Sequence, residues 1–99
     1  MFILRKAKEE DLLIIQELAE QTWPSAYGSI ISEAQIRFML DTMYQQNELL
    51  KQMQKGNTFL IASRLIEDIG FAGYSLLDFE TQTYKLDKLY VLPKMHGKG

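Results

Sequence analysis

Cysteine is absent from the sequence, which excludes disulfides, thiol catalysis and thiolate metal sites. Histidine occurs once, at His96. No second ligand stands near it in the sequence, so no metal is expected. No apolar run approaches the roughly 18 residues that would suggest a membrane span, and no membrane partner is expected. A signal peptide is also missing, because the opening MFILRKAKEED places a short apolar start before the charges, the wrong order for one. A cytoplasmic protein is the default expectation. Positive charge is scarce as well. The net charge is −2 and no basic aromatic stripe occurs, which argues against a nucleic-acid partner. Internal repeats are lacking, and 99 residues then make one domain at most.

What is present suits a modest globular core, with 46% hydrophobic and 24% charged residues. The charge is uneven. Lys85, Lys88, Lys94 and Lys98 against Asp87 leave +3 on residues 85–99, and the remainder carries −5. A basic end on an acidic chain would suit a small polyanionic ligand, although lysines near a chain end are also simply solvated.

Residues 2–6 alternate as a short strand, and Ala7-Lys8 turns. Glu9, Glu10 and Asp11 put three acids at a helix start, where they complement the positive end of the dipole. Leu12, Ile15, Leu18, Ala19 and Trp23 follow at helical spacing, predicting a helix over 9–23 that Pro24 ends. Residues 24–31 read as an irregular connection, with Tyr27 and Ile30 as apolar handles. Ser32 with Gln35 is a capping-box pair, and Ile36, Met39, Leu40 and Met43 extend it into a helix over 33–44. Residues 45–55 add a further helical turn or two, closed by Gly56-Asn57.

The pattern then turns to strand. Residues 58–65 are apolar on both faces, which predicts a strand covered on both sides. Glu67-Asp68 is the expected turn. Residues 69–79 form the next strand, with Gly70 and Gly73 marking weak or bulged places. Residues 80–83 turn again, and 84–92 form the last strand. Short turns between consecutive strands imply antiparallel pairing, and the helices must cover the sheet. The expected fold class is α/β in the α+β sense, a mostly antiparallel sheet with two or three helices before its second strand.

The stretch that carries chemistry is Leu86 to Gly99, LDKLYVLPKMHGKG. An apolar strand meets Pro93, then the basic glycine turn His96-Gly97-Lys98-Gly99. Glycine lets backbone N–H groups approach an anion closely. The turn matches neither the nucleotide-triphosphate P-loop nor the three-glycine dinucleotide fingerprint. By itself a solvated turn is the commoner reading of it.

In its ordered context the stretch resembles the acetyl-CoA-binding motif of the GNAT superfamily of N-acetyltransferases, Leu-x-Val-x-Pro followed by Gln/Arg-x-x-Gly-x-Gly/Ala. Leu89-Tyr90-Val91-Leu92-Pro93 supplies the first part. His96 stands at the Gln/Arg position, which the family uses largely through its backbone, and Gly99 stands at the first obligatory glycine. The resemblance spans the whole chain as the amino-terminal half of that fold, and residues 1–99 are expected to be a single GNAT-like domain incomplete at its C-terminal end.

The resemblance implies an acetyl-CoA-dependent transfer to a primary amine of a small molecule or peptide. Main-chain groups of Leu89, Tyr90 and Val91, bared by a bulge that splays the strand, would hold the thioester arm. Gly97, Lys98 and Gly99 would cradle the pyrophosphate beside His96, with Lys94 adding positive field. Trp23 and Tyr27, with Ile30 and Met39, would wall the acceptor pocket, though Trp23 at helical spacing also reads as core. Asp87 and Asp78 are the available candidates for a general base, or else solvated strand residues. The acid that protonates the thiolate sits on a later helix in that family and is not assigned. Two alternatives remain open. One is an inactive fragment. The other is a non-enzymatic module that pairs through an exposed sheet edge, for which a homodimer is one form.

Overall fold

The computed structural model describes residues 2–95. Its first strand, β1 (Phe2–Lys6), leads through a 3-10 turn at Glu9–Asp11 into helix α1 (Leu12–Tyr27). The Asp11 carboxylate accepts the Lys8 backbone N–H at 2.9 Å and so caps the turn. Leu12, Ile15, Ala19 and Trp23 form the stripe that α1 buries. The helix does not stop at Pro24 but continues to Tyr27, so the expected helix end and the irregular stretch over 24–31 are corrected. Proline removes only its own N–H from the ladder. Its carbonyl still accepts the Gly28 N–H at 2.8 Å, which sustains the last turn.

Helix α2 (Glu33–Met43) begins where Ser32 Oγ accepts the Gln35 N–H at 3.1 Å. It buries Ile36 and Leu40. On the outer side Arg37 bridges to Glu20 of α1 and to Asp41 one turn on, each at 2.8 Å or less. Helix α3 (Gln46–Gln54) places Leu49 in the core.

Three strands follow in hairpin succession, β2 (Thr58–Arg64), β3 (Glu67–Asp78) and β4 (Thr83–Val91). The sheet order is β1-β2-β3-β4, antiparallel throughout. The β2–β3 turn is Leu65-Ile66, and Glu67-Asp68, expected to turn, already pair in β3. Leu65 sits in the left-handed region at φ 59°, a place that sequence rules reserve for glycine or asparagine.

One sheet face packs on the helices through Phe59, Ile61, Ile69 and Phe71, all buried. Across the first three strands the Arg5 guanidinium donates to Ser63 Oγ (2.9 Å) and Asp68 Oδ1 (3.0 Å), and the Ser63 hydroxyl donates to Asp68 at 2.7 Å. Burial pushes the Asp68 carboxyl up, but the Ser63 and Arg5 donors outweigh it and hold the group below its ordinary value.

The opposite face corrects a second expectation. Among the described residues β2 is covered on one side only, because α1, α2 and α3 all pack on the face that carries Phe59 and Ile61. Leu4, Leu86 and Leu89 on the other face are each 60% or more exposed. No helix among the described residues is long and apolar enough to cross a membrane.

Candidate functional site

The site is built on β4, the end strand of the sheet among the described residues. Its register against β3 runs evenly from Lys88↔Gly73 to Val91↔Gly70. The shift lies just before, where Gly73 pairs with Lys88 but Tyr74 with Leu86, leaving Asp87 as the extra residue. The irregularity therefore precedes the Leu89-Tyr90-Val91 segment rather than falling within it.

The ladder phase decides which main-chain groups face outward. Leu92 N–H donates to Ile69 O at 2.8 Å. Bonded and non-bonded pairs alternate in an antiparallel ladder, so Tyr90, two residues back and opposite Phe71, exchanges its bonds with β3. Leu89 falls in the other phase, and its N–H and C=O point to the outer edge. Val91 shares the phase of Leu89.

The approach of β4 to β3 is close at Gly70, where a Cβ would lie 2.6 Å from Tyr90 O. Only glycine lets the strand sit there.

Side chains divide by the same alternation. Leu89 and Val91 lie on the open face, whereas Lys88 and Tyr90 turn toward the helices. Tyr90 joins a cluster of rings with Trp23, Tyr27 and Phe71, at centroid distances of 5.9, 6.3 and 5.5 Å. Tyr44, at the end of α2, meets Trp23 at 5.7 Å and Phe71 at 5.9 Å. The Tyr27 and Tyr90 hydroxyls lie 2.8 Å apart and share a hydrogen bond in which either can donate.

Burial pushes the Tyr90 hydroxyl strongly up, and the bond to Tyr27 adds to it. Burial likewise pushes Tyr44 up to about 12. Lys88 is lowered by burial. Its Nζ donates to Gln52 Oε1 at 2.9 Å and stands 5.9 Å and 5.8 Å from the Tyr44 and Phe59 ring centres.

Of the residues singled out from sequence, Trp23 is 4% exposed and packs as core, while Tyr27 is half-buried at the rim. Asp78 Oδ1 accepts the Glu80 and Thr81 N–H groups at 2.9 and 3.4 Å, shaping the β3–β4 turn. Asp87 accepts the Ser75 hydroxyl at 2.8 Å and lies 3.6 Å from Lys85 Nζ. Lys94 is paired with Glu67. The phosphate turn His96, Gly97, Lys98 and Gly99 lies outside the described residues. Among the described residues no three His, Asp or Glu side chains gather as a metal site.

Sequence reading missed the Tyr27–Tyr90 pair. The signal was present in the stripe Ile15, Ala19, Trp23, Tyr27, but it reads as a helix only if Pro24 is allowed inside.

No family model matches the sequence, and neither does any curated protein. Solved structures do match. The PaiA N-acetyltransferase of Thermoplasma acidophilum, in complex with coenzyme A, superposes with a TM-score of 0.84 at 27% identity, over 99% of this chain and 63% of that one. A GCN5-related N-acetyltransferase of Rhodopseudomonas palustris gives 0.76 at 21% identity, over 96% and 55%. An acetyltransferase of Clostridium acetobutylicum, with acetyl-CoA, gives 0.65 at 17% identity, over 100% and 65%. The chain thus spans roughly three-fifths of the length of these structures. Its four-stranded antiparallel sheet with three helices has the fold of the amino-terminal part of the GNAT acetyltransferases.

Proposed function

We propose that the full-length protein transfers an acetyl group from acetyl-CoA to a primary amine of a small molecule or peptide. The observation that carries this reading is the outward phase of Leu89 on β4, in a fold whose solved neighbour holds coenzyme A. Acetyl transfer requires a thioester held in register and its carbonyl polarised. A strand edge offers N–H and C=O groups at fixed spacing, which pair with an extended pantetheine arm as they would with another strand.

Leu89, Tyr90 and Val91 form the segment assigned to that arm. Tyr90 contributes by locking the segment to β3, and Leu89 by presenting its main chain. The pyrophosphate is assigned to the amides of Gly97, Lys98 and Gly99 beside His96, as the sequence motif implies. Of the two carboxylates that the sequence offers as a base, Asp78 is engaged in its turn and Asp87 with the Ser75 hydroxyl and Lys85, so neither is assigned that step. Tyr27 lies nearest the rim and is assigned to the acceptor side, with Trp23 supporting it from the core.

Calorimetric titration of the full-length protein with acetyl-CoA tests the reading. Saturable one-to-one binding is expected in the range of roughly 1 µM to 1 mM, followed by coenzyme release when an amine is added. Absence of binding at millimolar coenzyme would contradict it. Concentration-dependent association through the sheet edge in place of binding would favour the assembly alternative.

A further inference from the structure

Two polar atoms behind the ring cluster lack a well-formed hydrogen bond. Trp23 Nε1 and Tyr44 Oη meet no partner at full hydrogen-bond geometry, although the Tyr44 hydroxyl lies near both Trp23 and Tyr90 and Trp23 is 4% and Tyr44 1% exposed. Buried polar groups are almost always paired, with protein or with an ordered water. Both belong to rings that meet each other, and the Trp23 ring also meets Tyr90. The Tyr44 hydroxyl is close enough to Tyr90 to act on its proton affinity. A water there has a donor in Trp23 and a donor or acceptor in Tyr44, two of the two to four partners that an internal water takes.

We infer that the Tyr27–Tyr90 hydroxyl pair is the route by which the acceptor amine sheds its proton, and that one internal water on Trp23 Nε1 and Tyr44 Oη steadies the pair from behind. This rests on the acetyl-transfer reading above. Tyr90 belongs to the segment assigned to the thioester, and Tyr27 reaches the surface at the end of α1. An acceptor ammonium placed beside Tyr90 gives a proton to its oxygen as Tyr90 passes its own to Tyr27, which passes one to solvent. The neutral amine then attacks the thioester carbonyl, the C–N bond forms, and the C–S bond breaks with the electron pair leaving on sulfur, which takes up the second proton of the attacking nitrogen to give the neutral amide and the coenzyme thiol. Neither tyrosine becomes a phenolate. That agrees with the raised Tyr90 hydroxyl and with a bond that either oxygen can donate.

The groups around the pair are Trp23 on α1, Tyr44 at the end of α2, Phe71 on β3 and Lys88 on β4. The Lys88 cation lies over the Tyr44 ring, 5.9 Å from its centre, and answers to Asp87 and Glu48. No carboxylate is bonded to either hydroxyl among the described contacts, so a relay suits the pair better than a direct base.

The test uses Tyr27→Phe in the full-length protein, which keeps the ring contact with Trp23 at 4.5 Å and removes only the hydroxyl. With a lysine-like amine, kcat is expected to fall roughly tenfold to a hundredfold at pH 7. The loss should shrink to near nothing around pH 10, where about half of the amine is already neutral. Acetyl-CoA affinity should stay within about twofold. An equal loss at both pH values, or no loss at either, overturns the relay. A crystal structure of the wild type should show one water within hydrogen-bond reach of both Trp23 Nε1 and Tyr44 Oη, and a dry contact there overturns the internal support. Failure of the wild type to bind acetyl-CoA would instead remove the underlying reading, while the water is still read from the crystal.

Discussion

Acetyl-CoA affinity of the full-length protein is expected to fall roughly a hundredfold to ten-thousandfold when Gly97 and Gly99 are both replaced by Val. The reason lies in what a phosphate requires of the turn. Backbone N–H groups must converge on the diphosphate at hydrogen-bond distance, and a branched Cβ both blocks that approach and restricts the dihedrals. Each lost bond to a charged oxygen costs about 1.5–3 kcal/mol, so two together give the stated range. The glycines follow Pro93 and the 3-10 turn at Pro93–Met95 in sequence, past the core residues among those described. The melting temperature should therefore stay close to that of the wild type. Calorimetry and thermal denaturation on the same sample separate the two effects. Unchanged affinity would remove the phosphate assignment from these residues.

Trp23→Ala should have the largest effect on stability. The indole is 4% exposed and meets Tyr27, Tyr44 and Tyr90 at 4.5, 5.7 and 5.9 Å. Truncation deletes this shared partner and leaves a cavity between α1 and β4. Such changes cost about 3–5 kcal/mol, a large part of the total stability of a domain this size. Urea denaturation of the two proteins should show the midpoint displaced by that amount, with the slope retained. A loss under about 1 kcal/mol would mean that Trp23 lines an accessible pocket, the role that the family resemblance first suggested for it.

The order of elements was legible because hydrophobic period and turn chemistry agree over most of the chain. Ser32 with Gln35 marked the start of α2, and its hydroxyl does accept the Gln35 N–H. The GNAT-like fold followed from the ordered strand, Pro93 and glycine turn. The misreadings have local causes. Pro24 carries a stop signal, yet the helix needs only its carbonyl. Leu65-Ile66 carries no turn signal at all, and Leu65 reaches its φ of 59° because the Arg64↔Glu67 pair closes the hairpin around it. The apolar alternation of β2 tells which faces are able to be buried, not which ones the described elements cover.

The site was less legible than the fold. Whether the main chain of Leu89 faces β3 or the outer edge depends on a ladder phase set by the Leu92–Ile69 bond and the extra residue Asp87. Composition has no access to that phase. The Tyr27–Tyr90 bond joins residues 63 positions apart, a contact that exists only once α1 lies against β4.

Amide NMR of the full-length protein during acetyl-CoA titration tests the central claim most directly. The Leu89 N–H signal should move strongly and saturate with the calorimetric binding curve, while the Tyr90 N–H, held in the β3 ladder, moves less. A Leu89 signal that stays in place while the coenzyme saturates the protein would contradict the account.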